Sequence, residues 1–341
     1  MTTLLASEVP LAEVHDVALM DLDGVTYEGA APIEYAAEGL ASARGRGLRL
    51  FYVTNNSSRR PEDVAGQLTS LGMPATPDEI FSSAMAAVQL AVGRHGLGAR
   101  VLIVGGPGLV QAAQEGGLTL VESADDKPVA VIQGFRESIC WRDLSEVAYA
   151  INGGAEFIAT NLDSTLPRER GLAVGNGSLV AAVANATGVT PLSAGKPEPE
   201  VFRLAAERAG ATNPLAVGDR LNTDIAGAVA SGVPSLHVLT GVSKARDVVT
   251  APASQRPNYL GIDLRDLTRP HPVVEYDGEW AVCRAARARV ADGRLELDRD
   301  GIRELAEPET VTLDEYRALA VAAWSAAHVP ACPTLEVVDA L

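Results

Sequence analysis

Two carboxylates, Asp21 and Asp23, follow directly on the apolar run Val17–Met20. The run reads as a buried parallel strand, and open α/β sheets place their ligands at the C-terminal ends of such strands. Strand alternation turns the Asp21 and Asp23 side chains to one side and Leu22 back toward the core. Gly24 lets the backbone leave the strand without a Cβ penalty. Carboxylates this close repel, so the pair demands a cation, a shared proton or two different environments. An Asp-rich turn with no chemistry is the competing reading, and three further strand ends argue against it. Residues 48–53 stop at Thr54-Asn55-Asn56, short polar groups suited to holding an anion. Residues 215–217 stop at Gly218-Asp219, with Asp224 beyond, and residues 235–239 stop at Thr240-Gly241. A parallel sheet would gather these ends on one edge. Lys196, in Gly195-Lys196-Pro197, adds a cation to the set.

The elements that must position these groups show as alternating patterns. Residues 32–46 carry Ile33, Ala36, Ala37 and Leu40 on one face and read as a helix with Pro32 near its start. Ser58 is expected to cap a helix opening at Pro61, with Thr54 and Asn55 facing the ligand. Residues 98–190 repeat a strand–helix pattern on a smaller scale, with helices over Trp141–Asn152 and 178–187. Gly105-Gly106-Pro107-Gly108 lacks the third glycine of a dinucleotide loop and holds a proline, so it reads as a strand-to-helix turn. Residues 160–167 read as a polar loop, the kind of segment that contacts ligand. Beyond Arg269 come short strands and a helix over 312–328, with Thr312 and Glu315 spaced as a capping box.

Composition narrows the function. The formal charge of −16 argues against broad nucleic-acid binding, which depends on phosphate neutralisation. Cys140, Cys283 and Cys332 lie far apart, as do the five histidines, so a structural zinc site is not expected. No run approaches membrane-spanning length and no signal peptide is visible, so a soluble cytoplasmic protein without membrane partners is expected.

The ordered set Asp21-Leu22-Asp23-Gly24-Val25, Thr54-Asn55-Asn56, Gly195-Lys196-Pro197 and Gly218-Asp219 with Asp224 resembles the haloacid dehalogenase superfamily of phosphatases. The resemblance runs from Val17 to about Gly261. It implies an α/β fold, a doubly wound parallel sheet with an inserted cap. The space between the first two motifs is too short for a cap, whereas that between the second and third holds one of the second type. With Thr-Asn-x-Asp at 160–163, the cap is similar to that of the NagD-like branch, whose members act on 4-nitrophenyl phosphate, phosphoglycolate, glycerol 3-phosphate and pyridoxal phosphate. The implied organisation is a core over 1–97 and 191–265, a cap over 98–190 and an α+β extension over 269–341. The resemblance also implies roles. Asp21 is the nucleophile that forms an aspartyl-phosphate, and Asp23 is the general acid and base. Mg2+ is held by Asp21, the carbonyl of Asp23 and Asp219, with Asp224 orienting the set. Lys196, Thr54, Asn55 and Asn56 bind the phosphoryl group.

The substrate expected is a small phosphomonoester. Pyridoxal phosphatases resemble residues 160–170 but carry a histidine where this chain has Leu166, which stacks poorly on an aromatic ring. Glycerol 3-phosphate therefore ranks first, with hydroxyl partners among Asn161, Asp163 and Ser164. Phosphoglycolate would use Arg168 or Arg170, and nucleotides rank below it. A non-catalytic phosphate-binding or signalling module is the alternative class; the second acid, Asp23, and the long span from Asp21 to Lys196 speak against a receiver domain. Residues 269–341 resemble an acetyltransferase-like remnant fused in actinobacterial relatives. They lack the Gly-rich turn that pyrophosphate needs, so a structural role or support of a homodimer is expected, without acyl transfer.

Overall fold

The computed structural model describes residues 4–168 and 170–340, and two compact units are distinguished: residues through 51 together with 206 onward, and residues 52–205. The boundary falls inside the strand Arg49–Thr54.

The first unit is built on parallel strands in the order Tyr259–Gly261, Ser235–Val238, Pro214–Gly218, Val17–Met20. All four residues of Val17–Met20 are buried, as a strand covered on both faces requires. Its register, Met20 opposite Val217, brings the following Asp21 alongside the end of Pro214–Gly218, and the Asp21 N–H donates to Val217 O at 2.8 Å. Pro32 does not open a helix. It pairs in a hairpin, Ala31–Pro32 against Tyr27–Glu28, turned at Gly29 with φ +60°, and the helix runs Ala36–Gly45. The two turn residues outweigh the apolar spacing that suggested one continuous helix. After Pro214–Gly218 the chain makes a wide helical turn over Leu221–Ile225 before the helix Ala226–Ser231.

The end of the chain adds an antiparallel meander of five strands, Glu275–Asp277 through Ile302–Glu304, and the helix Leu313–Ser325. The first two of these strands, Glu275–Asp277 and Trp280–Cys283, are joined by a turn at Gly278. The helix starts at the capping box: the Glu315 N–H donates to Thr312 Oγ1 and the Thr312 N–H to Glu315 Oε2. From Leu313 to Trp324 every residue but Asp314 is buried. Tyr316, Leu319 and Trp324 share one core with Ile225, Val248, Val249 and Leu260.

The second unit holds the parallel pair Arg49–Thr54 and Ile80–Ser82 and a five-stranded parallel sheet. The order of that sheet is Leu192–Ser193, Glu156–Ala159, Ala130–Gln133, Arg100–Val104, Thr119–Val121. Phe157, Val131 and Leu102 pack with Val147, Ile151, Val180 and Val183 of the helices Trp141–Asn152 and Asn176–Thr187. Ser58 does not cap the helix at Pro61; its N-cap is Arg60, which makes no side-chain cap bond. Ser58 instead gives its N–H and hydroxyl to Asn56 Oδ1. The glycines at 106 and 108 have a steric reason: a Cβ there would lie 2.7 Å from Ser58 Cα and 2.1 Å from Arg59 O. The expected polar loop over 160–167 ends as a strand, Thr165–Arg168, paired with Gly171–Val174 in a hairpin. Glu169 and the side chain of Pro167, within that segment, lie outside the described residues.

Candidate active site

In the first unit three acidic side chains meet at the C-terminal edge of the sheet. Asp21, Asp219 and Asp224 each offer a carboxylate oxygen within 4.8 Å of the others, and all three are buried, at 8, 0 and 2 % exposure. Asp21 and Asp219 come directly from strand ends; the wide turn at Leu221–Ile225 swings Asp224 back beside them. Backbone donors hold the acids. The Val242 N–H donates to Asp219 Oδ2 at 2.6 Å and the Arg220 N–H to Asp224 Oδ2 at 3.1 Å. The Asp219 carbonyl accepts from the Ser243 N–H and from Nε2 of the wholly buried His237. Burial pushes His237 down to about 4.

Thr240 ties the last strand end to the first, donating from Oγ1 to Gly24 O at 2.6 Å. Space is left here by glycines: a Cβ at Gly241 would lie 1.9 Å from Asp219 Oδ2, and one at Gly218 2.3 Å from Asp224 Cβ. Two unit charges at about 4.8 Å repel by roughly 3 kcal/mol at an effective dielectric near 20. Buried acids in this arrangement therefore fit a hard cation with oxygen ligands, such as Mg2+ or Ca2+. Asp23 is not among the three. It is exposed, on a turn closed by the Gly24 N–H to Tyr27 O bond, and its backbone bridges Tyr27.

The second unit carries the other candidates. Lys196 is 4 % exposed, and its Nζ donates to Val53 O at 3.0 Å, at the end of the strand that delivers Thr54. Asn55 is the hub. Its Oδ1 accepts from the Lys196 N–H, and its Nδ2 donates to Lys196 O and to Asp163 Oδ2. Its carbonyl accepts from Asn161 Nδ2 and Ser83 Oγ. Thr54 Oγ1 accepts from the Asn56 N–H, and Asn56 Oδ1 shapes the following turn through Ser58. Asn161 and Asp163, expected to face a substrate, thus have partners in the Asn55 loop. Leu166 is half-buried, and Arg168 is exposed and ion-paired with Glu137 at 2.6 Å. Sequence reasoning passed over Ser83, His237, Val242 and Ser243. Two of these act on the acid loops through backbone groups and none carries a motif; only Thr240-Gly241 stood out as a strand end.

Comparison with known proteins settles the family. The haloacid dehalogenase-like hydrolase model matches residues 18–119, and a second model of the same hydrolases matches residues 193–267. The chain is 43% identical over 325 residues to D-glycerol 3-phosphate phosphatase of Mycobacterium tuberculosis, covering 93% of this chain and 88% of that one. The chain belongs to the haloacid dehalogenase-like hydrolases. Another member, the 5′-nucleotidase YutF of Bacillus subtilis, is 40% identical over 229 residues, 66% of this chain and 88% of that one. The crystal structure of a glycerol phosphate phosphatase from M. tuberculosis in complex with magnesium superposes with a TM-score of 0.84 at 40% identity, covering 97% of this chain and 96% of that one.

Proposed function

We propose that the chain is a Mg2+-dependent phosphatase that hydrolyses glycerol 3-phosphate through a phosphorylated Asp21. The observation that carries this reading is the buried cluster of Asp21, Asp219 and Asp224 at the sheet edge. Asp21 Oδ attacks phosphorus, and the P–O bond to the alcohol breaks as Asp23 protonates the leaving oxygen. Water then attacks the same phosphorus, Asp23 takes its proton, and Asp21 leaves as a carboxylate with inorganic phosphate as product. The exposed turn position of Asp23 suits a group that gives and regains a proton. Asp21 and Asp219 with the carbonyl of Asp23 would hold Mg2+, and Asp224 would orient them. The metal, when bound, neutralises phosphoryl oxygens as charge builds. Lys196 supplies a fixed cation for the phosphoryl group, with Thr54 and the Asn55 N–H as donors. Asn56 acts by shaping the loop.

Residues 98–190 serve in this proposal as the cap that selects the leaving group. Leu166 provides an apolar wall, not a stacking surface. The Arg168–Glu137 ion pair weighs against a use of Arg168 for the carboxylate of phosphoglycolate. The near full-length match to a D-glycerol 3-phosphate phosphatase supports the ranking. Nucleotides and sugar phosphates follow, since the relatives named for them align over less of the chain. The test is kcat/KM with Mg2+ across glycerol 3-phosphate, phosphoglycolate, a nucleoside monophosphate and pyridoxal phosphate. Glycerol 3-phosphate should lead. A tenfold advantage for pyridoxal phosphate, about 1.4 kcal/mol in transition-state binding, would overturn the substrate reading. Asp21→Asn should lose at least about 100-fold in rate, and chelation of the metal should abolish turnover.

A further inference from the structure

A second polar cleft lies in the first unit, lined by residues outside the phosphatase site. Its volume is about 390 Å3, within the range of small-molecule pockets. Arg269, Arg284 and Arg317 line it with Asp266, Asp314 and Asp339. Each guanidinium has five N–H donors in a fixed fork. Arg317, 4 % exposed, donates to Asp314 Oδ1 at 2.8 Å and to Leu260 O at 3.0 Å. Arg284 makes one hydrogen bond, from Nη1 to Asp314 Oδ2 at 3.1 Å, so most of its fork is uncommitted. Its φ of +53° belongs to the two-residue turn, Arg284-Ala285, that joins the paired strands Trp280–Cys283 and Ala286–Ala291. Arg269 holds Asp339 with two N–H groups, at 2.7 and 3.3 Å, the two-pronged geometry by which arginine takes a carboxylate.

Asp266 supplies an independent observation. It is 1 % exposed; Oδ2 accepts from the Ile262 and Asp263 N–H groups, while Oδ1 accepts no hydrogen bond and lies 3.6 Å from Arg269 Nη1. Burial raises the affinity of this carboxyl for a proton. Asp339 directly follows the strand Leu335–Val338 and is itself largely exposed, so its carboxylate fills the Arg269 fork from the rim.

We infer that this cleft binds a small dicarboxylate, one carboxylate taking the Arg269 fork in place of Asp339 and the other the uncommitted fork of Arg284. Calorimetry on the full chain with Mg2+ present, titrated with succinate, tests this. Saturable binding is expected. Arg284→Ala should weaken it about tenfold, ~1.4 kcal/mol, while Asp339→Asn should tighten it by removing the internal competitor. Both variants should hydrolyse glycerol 3-phosphate as the parent does. The opposite signs separate a ligand site from a network of structural ion pairs, where both changes would act alike. Absence of saturable heat, an unchanged affinity in Arg284→Ala, or weaker binding in Asp339→Asn would overturn the assignment. So would displacement of succinate by inorganic phosphate, which would place the heat at the phosphatase site or at a general anion site.

Discussion

The acid cluster depends as much on missing side chains as on present ones. Asp219 Oδ2 can approach the Val242 N–H at 2.6 Å only because residue 241 has no Cβ. Gly241→Ala should displace the Asp219 carboxylate while leaving the strands intact. The expected outcome is a Mg2+ requirement for activity raised at least about tenfold, with a stability loss of about 1–3 kcal/mol from overpacking. A Mg2+ titration of initial rates and a urea melt read the two effects separately; an unchanged metal requirement would mean that Asp219 moves aside at no functional cost. Asn55 teaches a related point. Its amide joins Lys196 and Asp163, so its side chain holds the loop together and its backbone is what remains for an anion.

The helix Leu313–Ser325 is the element on which the end of the chain is built. A helix buried on all sides through most of its length contributes through packing far more than through propensity. Its start is set by Thr312 and Glu315, and Glu315 also receives Arg299. Thr312→Ala removes one half of the capping box and should cost about 1 kcal/mol, measured as a lower urea midpoint with unchanged phosphatase activity. Loss of activity in parallel would show that this helix reaches the acid cluster energetically. Its side chains share a core with Ile225 of the Leu221–Ile225 turn and Leu260 of the strand Tyr259–Gly261.

The molecule as a whole should weaken in mild acid. Burial holds His237 and His271 down to about 4, so both stay neutral in the folded chain across mild acid, and burial lowers His15 as well. In the unfolded chain a histidine takes its proton near pH 6.5. Between pH 6.5 and about 4 the unfolded state thus binds more protons, and stability falls as pH falls. Each such histidine contributes up to about 1.4 kcal/mol per pH unit across that window. Asp266, with its proton affinity raised by burial, has the opposite sign and offsets part of the loss as pH falls. Urea melts at pH 7 and pH 5 should show the drop, and His271→Gln should flatten it; an unchanged midpoint would contradict the burial argument. Among the described residues no helix is long and apolar enough to cross a membrane.

What the sequence determined by itself was local and chemical. Val17–Met20 had to be a buried strand because four consecutive apolar residues leave no solvent face, and an acid directly after it had to sit at the sheet edge. Thr312 and Glu315 marked a helix start because capping acts across a single turn. The family followed from motif order alone. Tertiary structure decided whatever depended on partners distant in the chain. Pro32 became a strand residue once Gly29 turned the hairpin, and residues 165–168 became a strand once 171–174 paired with them. The convergence of Asp224 on Asp21 required the wide turn at Leu221–Ile225, which no spacing rule announces. Asn161 and Asp163 read as ligand contacts because polar loop residues often are; their hydrogen bonds to Asn55, spanning more than a hundred residues of chain, no spacing rule could show. Backbone donors such as the Val242 N–H carry no side-chain signature at all, so only the folded chain could show that they hold the acids in place.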